Sequence, residues 1–170
     1  MNNGLKNKIE YQELKFVKGP TLKEIMEGCS NDPLSDRFTL KDGDTERSFF
    51  VGEFDGKRNT VALETFGKGF GGNIGVLVAI NVDEDKLVGV GVTTHSETPG
   101  VGARTKTDPA FREQFKGMPL DSQFKIKTDG GDIDALTGAT VSSTGIAGAV
   151  FEATEIYKRM KTEIVNKLKG

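Results

Sequence analysis

The chain has 170 residues, with 23 basic and 25 acidic side chains and a formal net charge of −2. This length suits a single domain over residues 1–170, in which about 70% of the surface of the unfolded chain can be buried. The nearly balanced charge, without a long run of Lys or Arg, argues against nucleic-acid binding, and a single cysteine, Cys29, excludes an internal disulfide.

The N-terminal stretch "MNNGLKNKIEYQELKF" is polar and lacks the apolar segment of a signal peptide. No part of the chain approaches about 18 consecutive apolar residues, the length that a membrane-spanning helix requires. We therefore expect this chain to be soluble. An anchor or leader upstream of residue 1 stays open.

Residues 1–35 are predicted to form an extension with one short helix that ends near Gly28. From residue 36 to 66, apolar and aromatic runs alternate with Asp-Gly turns, which is typical of a β-meander. Two valine-rich runs, "NIGVLVAINV" and "KLVGVGVTTH", flank "DEDK" and predict a hairpin of central strands.

A short helix is predicted at "AFREQF" after Asp108 and Pro109, and "SQFKIKT" is predicted to be one more strand, turned by "DGG". From about Ser143 to Leu168, apolar residues recur at three- and four-residue steps and predict a long helix. The predicted fold class is α+β: an antiparallel twisted sheet of β-meander type with flanking helices and a long C-terminal amphipathic helix.

Two stretches invite a functional interpretation that the context does not support. "GKGFGG", residues 67–72, fits the GxGxxG pattern, but it leads into a predicted strand rather than a helix, so a flexible turn is favoured over a dinucleotide site. His95 is the only histidine. It could work with Glu97 in acid–base chemistry, but no second histidine, cysteine pair or acidic cluster completes a metal site.

The loop "HSETPGVGA", residues 95–103, contains Thr98-Pro99-Gly100, which suits a type II turn. Such a turn exposes consecutive backbone N–H groups, which can bind an anion or the edge of a planar heterocycle. A plain connection between a strand and a helix explains this loop equally well.

Hydroxyl side chains crowd the stretch "DIDALTGATVSSTGIAGAV", residues 132–150. They are Thr137, Thr140, Ser142, Ser143 and Thr144. The N–H groups and dipole of a helix start attract phosphate, and Lys125 and Lys127, at alternate positions of the preceding predicted strand, could offset its charge. Helix capping with surplus hydroxyls is the alternative.

"DALTGAT", Asp134 to Thr140, resembles the pattern Asp-x-x-Ser/Thr-Gly-Ala-Thr at which a flavin transferase attaches FMN to the final threonine. "GFGGNI", "HSETPGVG" and "FREQFKG" occur in the matching order. Over about residues 65–160 the chain resembles the FMN-binding domain of RnfG from the Rnf electron transport complex and of the related NqrC from the sodium-translocating NADH:quinone oxidoreductase. The resemblance implies FMN as cofactor, bound by a phosphoester to Thr140, with Asp134 in the transferase recognition element.

The resemblance also implies the rest of the cofactor site. The flavin is expected to contact Glu97, Thr98, Gly100, Val101 and Leu136, and its phosphate side to lie near Thr137, Gly138, Ala139 and Ser142. Lys127 joins the phosphate side because of its position on the preceding predicted strand and not because of the resemblance. Family members more often carry leucine at the position of Val101 and threonine at that of Ser142.

In this family the domain lies on the periplasmic face of the inner membrane, is tethered by an N-terminal transmembrane helix, and passes electrons among the other subunits of an ion-translocating complex. The resemblance thus implies an electron-carrying subunit without a catalytic triad. Three alternatives stay open: a noncovalent FMN or nucleotide module, a free-standing soluble flavoprotein of the same fold, and a hydrolase with Thr140 or Ser142 as nucleophile and His95 as its only base.

Overall fold

The computed structural model describes residues 19–26, 28–31, 36–68, 73–95, 109–135 and 140–169. After one short helix, the strands come before the longest helix, which is last, as predicted. The elements are helix α1 (Gly19–Ile25), strands β1 (Arg37–Asp42), β2 (Thr45–Phe54), β3 (Lys57–Lys68), β4 (Asn73–Asn81) and β5 (Lys86–His95), helix α2 (Pro109–Glu113), a 3-10 helix (Lys127–Asp129) and helix α3 (Thr140–Lys169).

The five strands form one antiparallel sheet in the order β1-β2-β3-β4-β5, so each strand pairs with its neighbour along the chain. Asp55 and Gly56 join β2 to β3 with φ of 54° and 77°. Positive φ at both residues is what a two-residue type I′ hairpin turn requires, and Asp-Gly is favoured there. The predicted α+β fold with an antiparallel meander is confirmed.

Helix α3 covers one face of the sheet with a stripe of buried residues, among them Ile146, Val150, Ala153 and Ile156. Each large apolar side chain buried in this way contributes about 1.5–3 kcal/mol. A buried hydrogen bond fastens the two layers, since the Thr65 hydroxyl on β3 donates to the Ala149 carbonyl oxygen at 2.7 Å.

Helix α1 lies on the opposite face of the sheet, where Leu22 and Met26 join a second apolar cluster with Phe50 and Leu77. Helix α1 comes close to β5, since a Cβ at Gly89 would lie 2.9 Å from the Ile25 carbonyl oxygen. Small side chains on β3, β4 and β5 therefore make room for this short helix.

Residues 122–128, "SQFKIKT", do not form the strand that was predicted. Phe124 and Ile126 are both buried, which gives the alternating pattern of a strand, but the only ladder contact among the described residues is an isolated bridge between Ile126 and Ile133. The chain turns into the 3-10 helix and folds back so tightly that a Cβ at Gly131 would lie 2.0 Å from the Lys125 carbonyl oxygen. Alternating burial here reflects packing on the core rather than pairing in the sheet.

Two polar clusters hold α3 against the ends of the strands. Asp85, in the β4–β5 turn, accepts hydrogen bonds from the Tyr157 hydroxyl at 3.0 Å and from the Lys161 ammonium at 2.9 Å. The Lys161 hydrogen bond holds the pKa of Asp85 below its ordinary value, whereas burial raises that of Tyr157. At the far end of α3, Arg58 donates to the Leu168 carbonyl oxygen at 3.2 Å.

Within the described ranges, none of the helices combines the length and the apolar character that crossing a membrane demands. Helix α3 is long enough, with 30 residues, but its outer face carries charged side chains.

Candidate functional site

An open groove of about 570 Å³ lies where the end of β3, the first turns of α3 and the 3-10 segment meet. This volume falls within the range of roughly 300–1,000 Å³ that is usual for small-molecule sites. Its lining residues come from these three parts of the chain. They are Phe66, Gly67, Ile126, Thr128, Asp129, Thr140, Val141, Thr144, Gly145 and Gly148.

Thr140 is the first residue of α3 and is exposed in the groove. The helix was predicted to begin near Ser143, three residues later. It begins earlier because Ser142 and Ser143 are fully buried within its first turn rather than capping it. The hydroxyl of Thr144 bonds back to the Thr140 carbonyl oxygen at 2.8 Å.

Helical periodicity divides the hydroxyl groups between two faces. Thr144 lies about one turn after Thr140 and shares its face, whereas Ser142 lies about 200° around the helix axis from Thr140. The Ser142 hydroxyl is therefore turned into the protein, where its oxygen has no hydrogen-bond partner among the described residues. Ser142 is absent from the groove lining, so its predicted place beside the phosphate stays a prediction.

Two glycines shape the floor of the groove. A Cβ at Gly67 would lie 2.0 Å from the Gly145 carbonyl oxygen, so β3 and α3 touch backbone to backbone at this point. Among the described residues, a Cβ at Gly148 would meet no heavy atom within 4 Å. Crowding by these residues therefore does not explain why position 148 is a glycine, although glycine costs about 1 kcal/mol in a helix interior.

The walls of the groove differ in polarity. Phe66 and Val141 are large apolar side chains that stay 55% and 49% exposed. Thr128 and Asp129 supply a hydroxyl and a carboxylate on another side. Apolar walls with a few polar groups are the usual composition of a site for a flat organic ligand.

The electrostatics of the helix start suit an anion. The first turn of α3 contains no acidic residue, and Lys167 and Lys169 lie in its last turn. At Thr140, the unpaired N–H groups and the positive end of the helix dipole can therefore attract an anion, because no carboxylate in the same turn opposes them.

Lys127, predicted to offset the phosphate charge, has a different partner in the structure. Its ammonium group lies 2.9 Å from the carboxylate of Asp134, and this hydrogen bond raises the pKa of Lys127. Its role toward the cofactor stays a prediction. The main chain of Asp134 is held separately by the side-chain amide of Gln114.

Eight of the predicted cofactor contacts lie outside the described residues. They are Glu97, Thr98, Gly100, Val101, Leu136, Thr137, Gly138 and Ala139. The side chain of His95 also lies outside them. Within the described ranges, no cluster of His, Cys, Asp and Glu could hold a metal ion.

Sequence reasoning missed the groove residues on β3 and in the 3-10 segment, because they are distant from Thr140 in the sequence and lie beside it only in the folded chain. One signal was present in the sequence. Gly145 and Gly148 follow Thr140 and Thr144 on one helical face, and glycines on an exposed helix face indicate an approach of another group.

A family model described as "FMN-binding domain" matches residues 69–155, and eight of the ten residues that line the groove, Thr140 among them, lie in this range. The chain belongs to the FMN-binding domain family. The predicted family and the predicted cofactor, FMN, are thereby confirmed.

The chain is similar to two components of ion-translocating complexes. It is 33% identical over 148 residues to the G subunit of the proton-translocating ferredoxin:NAD(+) oxidoreductase complex of Clostridium ljungdahlii, covering 82% of this chain and 78% of that protein. It is 31% identical over 144 residues to the G subunit of the ion-translocating oxidoreductase complex of Cereibacter sphaeroides, covering 81% of this chain and 65% of that one. The chain thus spans just under two thirds of the length of the latter relative.

Two solved structures share the fold. The C subunit of the Na(+)-translocating NADH-quinone reductase from Parabacteroides distasonis superposes with a TM-score of 0.65 at 18% identity, over 91% of this chain and 96% of that one. Shewanella oneidensis NqrC gives a TM-score of 0.54 at 23% identity, over 79% and 72% of the two chains.

Proposed function

We propose that the chain carries FMN as a phosphoester on Thr140 and relays electrons within an Rnf-type ion-translocating complex. One observation carries this proposal: Thr140, the last residue of the "TGAT" stretch, is exposed at the first position of a 30-residue helix and opens into the groove. A phosphate esterified there meets the helix N-terminus, and the rest of the cofactor extends into the groove.

The groove residues suit the parts of FMN. Phe66 and Val141 offer apolar surface for a flat ring system, and the open space above Gly148 leaves room for it. The hydroxyls of Thr128 and Thr144 can hydrogen-bond the polar chain between ring and phosphate. FMN, when bound, supplies reversible uptake and release of electrons, and the protein supplies position and local polarity.

Attachment requires an activated flavin donor, a phosphoanhydride of FMN, brought by a flavin transferase. The Thr140 oxygen forms the new P–O bond while the bond from phosphorus to the leaving group breaks, and the hydroxyl proton leaves with that group. The protein gains one FMN less one water. Such a tether prevents loss of the carrier by dilution.

The remaining contacts are also part of the proposal. Glu97, Thr98, Gly100, Val101 and Leu136 would contact the flavin, and Lys127, Thr137, Gly138, Ala139 and Ser142 would lie on its phosphate side. Residues 65–160 would form the FMN-binding core of a single domain, preceded by an extension over residues 1–35.

We further propose that the other subunits of the complex are the partners of this chain, and that an N-terminal anchor outside residues 1–170 holds it at the periplasmic face. The names of the relatives support the choice of partners, because both relatives are subunits of translocating oxidoreductase complexes. Fractionation of cells that express the whole coding sequence tests it: the protein should sediment with membranes and be open to protease added to spheroplasts.

The attachment is tested by coexpression with a flavin transferase, denaturation and intact-mass measurement. The wild-type chain should gain one FMN less one water, and Thr140→Ala should gain nothing. Thr144→Ala is the matched control, since it removes another exposed hydroxyl of the same groove and should still be modified. Flavin that is released on denaturation would instead indicate a noncovalent module.

A further inference from the structure

The side chain of Gln114, which follows helix α2, holds the main chain of Asp134 from both sides. Its Nε2 donates to the Asp134 carbonyl oxygen at 3.0 Å, and its Oε1 accepts from the Asp134 backbone N–H at 2.8 Å. A third hydrogen bond, from Nε2 to the Phe111 carbonyl oxygen at 3.0 Å, orients the amide itself. Gln114 therefore pairs with Asp134 much as a neighbouring strand would.

The Asp134 carboxylate, in contrast, faces outward. It is 72% exposed and contacts the Lys127 ammonium at 2.9 Å. The residue before it, Ile133, is fully buried in the core. One residue thus has its backbone fixed by Gln114 and the core while its charged group stays accessible to another protein.

Thr140, six positions further along, is fixed independently as the first residue of α3. The attachment motif therefore begins at Asp134, whose backbone is fixed, and ends at Thr140, which is fixed by the helix. Binding of this motif by a partner enzyme costs less conformational entropy when the backbone at both of its ends is already ordered.

We propose that Gln114 is a positioning residue for flavin attachment: it presents Asp134 to the transferase in a fixed orientation relative to Thr140. The inference rests on the proposed function, because it assumes that Thr140 is modified. It adds a residue outside the attachment motif, on a different element, that governs how efficiently the motif is recognised.

The test uses the purified chain, a flavin transferase and its activated flavin donor, with covalent flavin followed by fluorescence after denaturing electrophoresis. In Gln114→Ala, two hydrogen bonds to Asp134 are lost, and the KM for the chain should rise about tenfold, while kcat changes little. Gln114→Glu keeps the size but loses the donor, so its KM should rise as well. Gln123→Ala removes an exposed glutamine side chain nearby and should leave KM unchanged.

A KM equal to that of the wild type in both Gln114 variants would overturn the proposal. So would a rise in KM that disappears at lower temperature, because partial unfolding lowers the concentration of folded substrate and such a pattern reports general destabilisation. If the wild-type chain itself acquires no covalent flavin, the proposed function fails, and the role of Gln114 fails with it. Attachment to the wild type separates the two cases.

Discussion

Replacing Gly148 with alanine distinguishes a groove that accommodates a ligand from a groove that is only a gap in the surface. Since a Cβ at this position meets no heavy atom of the described part of the chain within 4 Å, helix propensity alone should act on the ligand-free protein. The free energy of unfolding should rise by about 1 kcal/mol. For a domain of this size, that corresponds to an increase in Tm of about 2–4 °C.

The same methyl group projects into the space between the helix and Phe66 that the flavin is proposed to occupy. Crowding of a packed group typically costs about 1–3 kcal/mol. The FMN-loaded variant should therefore lose most or all of the stability that the ligand-free variant gains. Thermal melts of the loaded and unloaded forms of both proteins measure this difference, and the visible spectrum of the flavin reports whether its surroundings change.

Gly67→Ala is the matched comparison on the opposing strand. Its Cβ would lie 2.0 Å from the Gly145 carbonyl oxygen, so β3 and α3 would have to separate, and both forms should be destabilised by about 1–3 kcal/mol. Equal stabilisation of the loaded and unloaded forms by Gly148→Ala would refute the placement of the flavin over this helix face. Destabilisation of the unloaded form would refute the described open space.

Two further predictions concern the clusters that hold α3. The Lys161 hydrogen bond lowers the pKa of Asp85, so the pair stabilises the fold above about pH 4, and its contribution is lost as the pH falls through the folded-state pKa. Asp85→Asn, which still suits the φ of 53°, should lower the unfolding free energy at pH 7 by about 0.2–1 kcal/mol and by less at lower pH. Denaturant unfolding at several pH values checks this, with Glu84→Gln of the same turn as control, and a loss independent of pH would contradict it. Arg58→Ala removes the donor to the Leu168 carbonyl oxygen and should cost about 0.5–1.5 kcal/mol. Amide exchange should then quicken in the last turn of α3, whereas unchanged exchange there would contradict the role of this contact.

The sheet could be predicted because its signals are local. Asp55 and Gly56 form the turn that their types favour, and burial alternates residue by residue along β1. The same rule failed at Phe124 and Ile126, whose alternating burial comes from packing against the core without a partner strand. Alternation reports which side chains are buried and carries no information on hydrogen bonding.

The helix start illustrates a similar limit. Capping preferences identify hydroxyl residues as candidates for a helix start but do not rank several in a row. Burial decided between them, because Ser142 and Ser143 pack inside the first turn and leave Thr140 at the start.

The cofactor could be predicted from short motifs, whereas the groove could not. Phe66 and Asp129 are 63 positions apart in the sequence and meet beside Thr140 only in the folded chain. Gln114, just after α2, and Asp134, after the 3-10 helix, are likewise 20 positions apart. Such contacts depend on how α3 and the 3-10 segment pack on the sheet, and no local pattern encodes them.

The central claim is that FMN is esterified to Thr140, and fragmentation of one tryptic peptide tests it most directly. Cleavage after Lys127 and Lys158 yields a peptide that contains Thr140 and every other hydroxyl of the attachment region. Tandem mass spectrometry of the chain coexpressed with a flavin transferase should place the FMN phosphate on Thr140. The same mass on Thr137, Ser142 or Thr144, or an unmodified peptide from a protein that had bound FMN, would contradict the account.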